Sequence, residues 1–237
     1  MEVQTIILTA VILILLYIVV AYVMAGPSVL TANVSAKTAQ TVESTKLDNS
    51  NSAAANFTYS VWFYLDDWNY RIGEPKVIFS RASDADNVCP LVQFKDYTNS
   101  IDIKIRCSNS SATSPTNVTD TCTVNNIPIQ KWVHLLISVY NKTVDVYLDG
   151  KLVKTHILSY PPKVDAIKNS PVLITPGGGF SGFTNRFQYW PDATNPQMAW
   201  NIYQEGYGGN WVTNLFSQYS VKLAVMEGDK EASSITI

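Results

Sequence analysis

Hydrophobic residues recur at every second position through much of this chain, most clearly in WVHLLISVYNKTVDVYLDGKLVKTH, Trp132 to His156. Val133, Leu135, Ile137 and Val139 alternate with His134, Leu136, Ser138 and Tyr140. Val144, Val146 and Leu148 then alternate with Asp145, Tyr147 and Asp149. A period of two puts one set of side chains on each face, the pattern of half-buried antiparallel strands. Asn141-Lys142 separates the first two strands, and Asp149-Gly150 follows the second as a type I′ turn signal. The stretch predicts a three-strand meander.

The same pattern recurs on both sides. FTYSVWFYL from Phe57 and KVIFSR from Lys76 are strand-like, and CPLVQF and IDIKIRC form a hairpin about KDYTNS. In that hairpin Ile101, Ile103 and Ile105 share one face, with Asp102, Lys104 and Arg106 on the other. SNSSATSPTNVTD reads as a solvated loop. Beyond Pro161-Pro162, VLITPGGGFSGFTNRFQYW reads as strand, glycine turn, strand. A short helix is predicted from Pro196 to Glu205, with Pro196 in its first turn and Gly206 at its end. The tail YSVKLAVMEGDKEASSITI reads as a closing hairpin.

The amino-terminal pattern is different. Ile6 to Ala25 is uncharged and, as a helix, spans roughly 30 Å, the thickness of a bilayer's hydrocarbon core, so it reads as a membrane helix. Val23-Met24-Ala25 has the small-residue spacing of a signal-peptide cleavage site, but no Lys or Arg precedes the apolar run. Tyr17 and Tyr22 suit either an interfacial belt or packing between helices. Residues 26–55 are dominated by Ala, Ser, Thr and Asn and read as a polar stalk, with Thr41 to Leu47 as a weak edge-strand candidate. The folded domain is then 56–237.

Composition narrows the function. Charged residues make up 15% of the chain, the net charge is -2, and no Lys/Arg run occurs, so the electrostatic footprint of a nucleic-acid binder is missing. Aromatics reach 11%, which suits strands and also sugar-stacking or protein-contact surfaces. Asn33, Asn56, Asn109, Asn117 and Asn141 each open an Asn-x-Ser/Thr triplet, which favours a translocated carboxy-terminal part.

Few residues offer chemistry. Cys89, Cys107 and Cys122 lack any CxxC spacing. Both Cys89 with Cys107 and Cys107 with Cys122 are symmetric about a turn or loop, and Cys107–Cys122 is the expected disulfide because it closes the longer polar loop. Glu227, Asp229 and Glu231 have the E-x-D-x-E spacing of glucan-cleaving sandwich hydrolases, but Gly228 and Lys230 mark a solvated turn. Asp84, Asp86 and Asn87 offer oxygens without a calcium-loop spacing, so no metal is expected. His134 and His156 have no nucleophile motif beside them, and Gly177-Gly178-Gly179 lacks the Gly-Lys-Ser/Thr of a phosphate loop. No cofactor is implied. Trp68, Tyr70, Tyr189 and Trp190 are the candidate contacts to sugar or protein.

The segments IPIQKWVHLLISVYNKTVDVYLDGKLVKTHIL and VLITPGGGFSGFTNRFQYW resemble the concanavalin A-like, laminin-G-like jelly-roll superfamily. VIFSR, CPLVQF, VDVYLDGKLVKT, GGGFSG and NPQMAWNIYQEGYGG, in that order, resemble the membrane-anchored lectin-like proteins of large nucleocytoplasmic DNA viruses of algae and amoebae. The resemblance runs from about Phe57 onward. It implies an all-β, antiparallel two-sheet jelly-roll sandwich behind a single amino-terminal transmembrane helix.

The resulting expectation is a non-enzymatic, single-pass membrane protein of a virion, in its internal membrane or envelope. It would be a minor capsid protein tethering membrane to shell, anchored in lipid through Ile6 to Ala25, its sandwich on the non-cytoplasmic or capsid-facing side against capsid or other virion proteins. The alternative is a carbohydrate-binding surface or attachment protein with glycans as partners; a glycoside hydrolase is the third reading. The fold hosts all of these, so the choice belongs to the site.

Overall fold

The computed structural model describes residues 13–17, 29–47, 56–84, 87–109, 116–164, 167–208, 222–227 and 230–236. Two units are present, Pro27–Tyr207 and the pair Met1–Gly26 with Gly208–Ile237. The first is a two-sheet antiparallel sandwich. One six-stranded sheet runs β1 (Val34–Ser35), β12 (Ser181–Trp190), β3 (Phe57–Asp67), β8 (Trp132–Tyr140), β9 (Thr143–Leu148), β10 (Lys151–Ile157). The other runs β2 (Gln40–Val42), β11 (Val172–Ile174), β4 (Lys76–Ala82), β5 (Val88–Phe94), β6 (Ile101–Asn109), β7 (Thr116–Val124).

The predicted meander is β8, β9 and β10. Asn141 and Asp149 take positive φ of 52° and 49°, and Gly150 follows at 74°, the left-handed backbone that a two-residue turn between twisted strands requires. The inward residues meet as their parity demands: Val133, Leu135, Ile137 and Val139 of β8 face Ile101, Ile103 and Ile105 of the other sheet in one buried core with Tyr59, Phe63, Phe94 and Phe180. Phe94 packs edge-on to both Phe63 and Phe180, with ring centroids 5.5 Å and 5.3 Å away. Arg81 is buried too, and its guanidinium donates to the carbonyls of Ser170 and Lys168 and to the Tyr59 hydroxyl.

One boundary differs from the sequence reading, and two of the predicted connections take on a specific place in the topology. The 26–55 stretch is not all stalk: Val34–Ser35 pairs with β12 and Gln40–Val42 with β11, so the sandwich begins well before residue 56. These strands are too short for a two-residue period to show. The strand and glycine turn around Gly177 lead from one sheet to the other, since β11 and β12 lie in different sheets. The tail hairpin exists as β13 (Lys222–Glu227) and β14 (Lys230–Thr236), but as a two-stranded sheet separate from both sandwich sheets. Of the expected membrane helix, residues 13–17 are described; they are helical, with Leu13 through Tyr17 exposed, and the rest lies outside the described residues. No helix among the described residues is long and apolar enough to cross a membrane.

The helix α1 (Pro196–Gln204) lies on the outer face of the β3-containing sheet. Asn195 caps it by accepting the Met198 N–H at 2.8 Å, Pro196 fills the first turn, and Gly206 leaves it at φ 71°. Ala199 and Ile202, three apart and so on one face, pack on Leu136 and Tyr147, with Trp190 alongside. Gly150 makes this approach possible: a Cβ there would stand 2.8 Å from the Trp200 ring.

Candidate functional site

Strand register, not sequence proximity, assembles the most distinctive surface of the sandwich. Phe183 of β12 stands opposite Tyr64 of β3, and Tyr64 stands opposite Trp132 of β8, so three aromatic residues form one row across three strands. Tyr64 and Trp132 meet at 5.8 Å, and Tyr207 stacks flat on Trp132, 4.7 Å away with planes 8° apart. Asn185 fixes that chain segment by donating its amide to the Tyr207 carbonyl at 2.7 Å. With Asp66 and Asn33 the row lines an open cleft of about 400 Å³. Phe183 is 45% exposed there.

The next row inward is closed. Trp62 pairs with His134 and stacks under Tyr203, 5.6 Å away and 20° from parallel. His134 is fully buried, with Nε2 2.8 Å from the Ser60 hydroxyl. Burial pushes its pKa down to about 4, with Asp149 opposing and Arg186 adding to the shift, so the imidazole is neutral near pH 7. Among the described residues its Nδ1 has no hydrogen-bond partner, and Asp149 instead accepts the backbone N–H of His134 at 2.9 Å. No third group among the described residues orients His134 as a base toward Ser60. His156 lies half-buried on the edge strand β10.

The four aromatic residues singled out from sequence occupy separate places. Trp68 packs on the core beside Phe94, and the Lys76 ammonium sits 4.9 Å from its ring centre. Tyr70 donates its hydroxyl to the Gly178 carbonyl at 3.2 Å, beneath the Lys37 ammonium. Tyr189 packs inward on Tyr59 and the Arg81 guanidinium, and Trp190 packs beside α1. Tyr64, Trp132 and Phe183 were missed, although the parity of the β8 pattern already placed Trp132 on the outward face with His134.

The expected Cys107–Cys122 disulfide is corrected. Cys107 stands opposite Val118, four residues before Cys122, and all three cysteines are free and buried. Four residues along a strand are about 13 Å, whereas a disulfide bridges Cα atoms less than roughly 7 Å apart. Burial, with Asp120 nearby, pushes the Cys107 thiol up to about 11. Asn33, Asn117 and Asn141 are exposed, while Asn56 is half-buried and its side-chain oxygen accepts the Asn141 N–H at 3.0 Å. Asn109 ends β6, and its side chain lies outside the described residues.

Asp84 is capped by Asn87, whose amide lies 2.8 Å and 3.0 Å from its two oxygens; Asp86 lies outside the described residues. No group of three metal-ligating side chains occurs among the described residues. Glu227 and Glu231 flank the turn of the separate β13–β14 hairpin, paired with Lys230 and Met226, and Asp229 lies outside the described residues. Gly179, at φ 42°, has no room for a side chain, since a Cβ would fall 2.1 Å from the Ala36 carbonyl oxygen. The glycine run is thus a packing feature.

Comparison with known proteins agrees with the geometry. The receptor binding domain of a botulinum neurotoxin C/D mosaic serotype superposes with a TM-score of 0.54 at 11% identity, over 74% of this chain and 43% of that one. A second structure of a C/D mosaic receptor binding domain gives 0.51 at 10% identity, over 70% and 41%. These likenesses are of fold, and this chain spans less than half of either. A BEACH domain-containing protein, lvsD of Dictyostelium discoideum, is 28% identical over 95 residues, 36% of this chain and 3% of that protein. The model of the concanavalin A-like lectin/glucanases superfamily matches residues 37–199, which include the first turn of α1 and every sandwich strand except β1. With that match and the two-sheet antiparallel architecture in agreement, the chain belongs to the concanavalin A-like lectin/glucanases superfamily.

Proposed function

We propose that the sandwich is a non-catalytic carbohydrate-binding module, held at a membrane by the apolar segment Ile6 to Ala25. The observation that carries the reading is the Phe183–Tyr64–Trp132 row with Asp66 and Asn33 at its side. A pyranose presents apolar C–H faces and polar edges; aromatic rings cover the first, and a carboxylate and an amide hydrogen-bond the second. The lectin-containing superfamily favours this over a tether within a virus particle, which rests on sequence resemblance alone.

Binding without hydrolysis is supported by the count of carboxylates in the cleft. Cleavage of a glycosidic bond ordinarily takes two facing carboxyl groups, and Asp66 is the one carboxylate among the described residues lining this cleft. A glycan array probed with the full chain in detergent micelles tests the proposal. Binding to a defined set of neutral oligosaccharides is the expected result, and a blank array would overturn it. For the anchor, the full chain should sediment with liposomes through an alkaline carbonate wash; recovery in the supernatant would refute it.

A further inference from the structure

A second cleft, of about 580 Å³, opens on the same sheet face at the amino-terminal end of α1. Its floor is another cross-strand row, Ser138–Asp145–Thr155 across β8, β9 and β10, which the buried Thr58 of β3 continues beyond the cleft. The segment leading into α1 forms the wall. Thr58 donates its hydroxyl to the Asp192 carbonyl at 2.7 Å, and the Thr194 N–H donates to the Ser138 hydroxyl at 2.8 Å. These bonds hold Asp192 above the floor, where Asp145 is the cross-strand neighbour of Ser138.

Both carboxylates are half-used. Asp145 Oδ1 accepts from the Thr155 hydroxyl at 2.6 Å, and Asp192 Oδ1 from the Ala193 N–H at 2.7 Å and the Asn56 amide at 3.5 Å. Neither Oδ2 has a hydrogen-bond partner among the described residues. Tyr147 is 1% exposed yet lines the cleft, and its hydroxyl likewise has no partner among the described residues. Tyr140 stands at the rim, 65% exposed. Among the described residues no Lys, Arg or His lines the cleft. The end of α1 offers little to an anion, because Asn195 already caps Met198 and Pro196 has no N–H.

We propose that this cleft binds a cationic amino sugar. Two carboxylates without a basic neighbour favour an ammonium group, which donates up to three hydrogen bonds. Threonine and tyrosine hydroxyls at Thr143, Thr155 and Tyr147 suit the ring hydroxyls, and the Tyr140 ring covers an apolar sugar face. This site is separate from the aromatic cleft and stands or falls independently of it.

Calorimetry on the full chain in detergent micelles, with glucosamine, glucose and N-acetylglucosamine as probes, tests the assignment. Glucosamine should bind at least about tenfold more tightly than the two uncharged sugars. Asp145→Asn and Asp192→Asn should each weaken it by about tenfold, and Ile129→Ala, exposed and away from both clefts, should leave it unchanged. Equal affinity for the three sugars, no binding of glucosamine, or indifference to both aspartate substitutions would overturn the proposal. So would equally tight binding of Nα-acetyl-lysine amide, which would reassign the cleft to a protein side chain, or release of glucosamine from a chitosan oligomer, which would make it a hydrolase.

Discussion

Trp132 and Tyr64 stand directly opposite one another in the antiparallel pairing of β8 and β3, their ring centroids 5.8 Å apart and their planes 57° from each other. Phe183 extends the row from the other side of Tyr64, and Tyr207 covers one face of Trp132. The strand pairing that builds the sandwich thus also builds its aromatic surface. Ligand and fold energetics can be separated along this row, because exposure rises toward Phe183.

Phe183→Ala should weaken binding of a neutral oligosaccharide by about tenfold, the loss of one stacked ring being worth about 1.4 kcal/mol. Its melting temperature should be nearly that of the parent, since Phe183 is 45% exposed. Trp132→Ala should lose binding and also some stability, because it removes the stack with Tyr207. Calorimetry against an oligosaccharide, paired with thermal unfolding, distinguishes the two. Undiminished binding by both variants would place the sugar elsewhere.

Gly182 is the backbone support of this row. It lies at a bulge where β12 meets β3, and a Cβ there would fall 1.8 Å from the Tyr64 carbonyl oxygen. Gly182→Ala should therefore cost about 4 kcal/mol or more, as overpacking against backbone has nowhere to relax. Denaturant unfolding measures it; a loss below about 1 kcal/mol, the usual effect of a tolerated substitution, would mean that the strands separate more easily than this pairing shows.

How much of this was legible in the sequence depended on distance along the chain. The meander was readable because Val133, Leu135, Ile137 and Val139 keep parity and Asp149-Gly150 names its turn; α1 was readable from Pro196 and Gly206. The aromatic row was not, because Phe183 meets Tyr64 only after β12 returns to pair with β3, and no local pattern encodes that register. The disulfide expectation failed for a related reason. Symmetry about a polar loop does not fix pairing, and Thr116 through Asp120, read as loop, are strand residues of β7.

The three thiols make that correction measurable. Cys89, Cys107 and Cys122 are buried, and burial raises the pKa of each, so the reactive thiolate is scarce at neutral pH. Alkylation of the native protein should be slow at all three sites, and denaturant should expose three equivalents at once. A non-reducing peptide map that linked Cys107 to Cys122 would contradict the β6–β7 register.

His134 couples the inner row to pH. The folded protein holds it neutral, with a pKa near 4, whereas the unfolded chain takes up a proton near the ordinary value of 6.5. Between these values the unfolded state binds more protons, so stability rises with pH through the window and is flat above it. The difference of about 2.5 units corresponds to about 3 kcal/mol at most. Acidification from pH 7 should thus progressively destabilise the sandwich below about pH 6.5, with the loss levelling near pH 4 as far as this residue is concerned. His134→Gln, which keeps a polar partner for Ser60 but cannot titrate, should flatten that part of the profile while lowering stability at pH 7. Chemical denaturation of both proteins at intervals from pH 4 to 7.5 reads the slopes. Parallel profiles would show that carboxylates, and not His134, set the acid sensitivity of the fold.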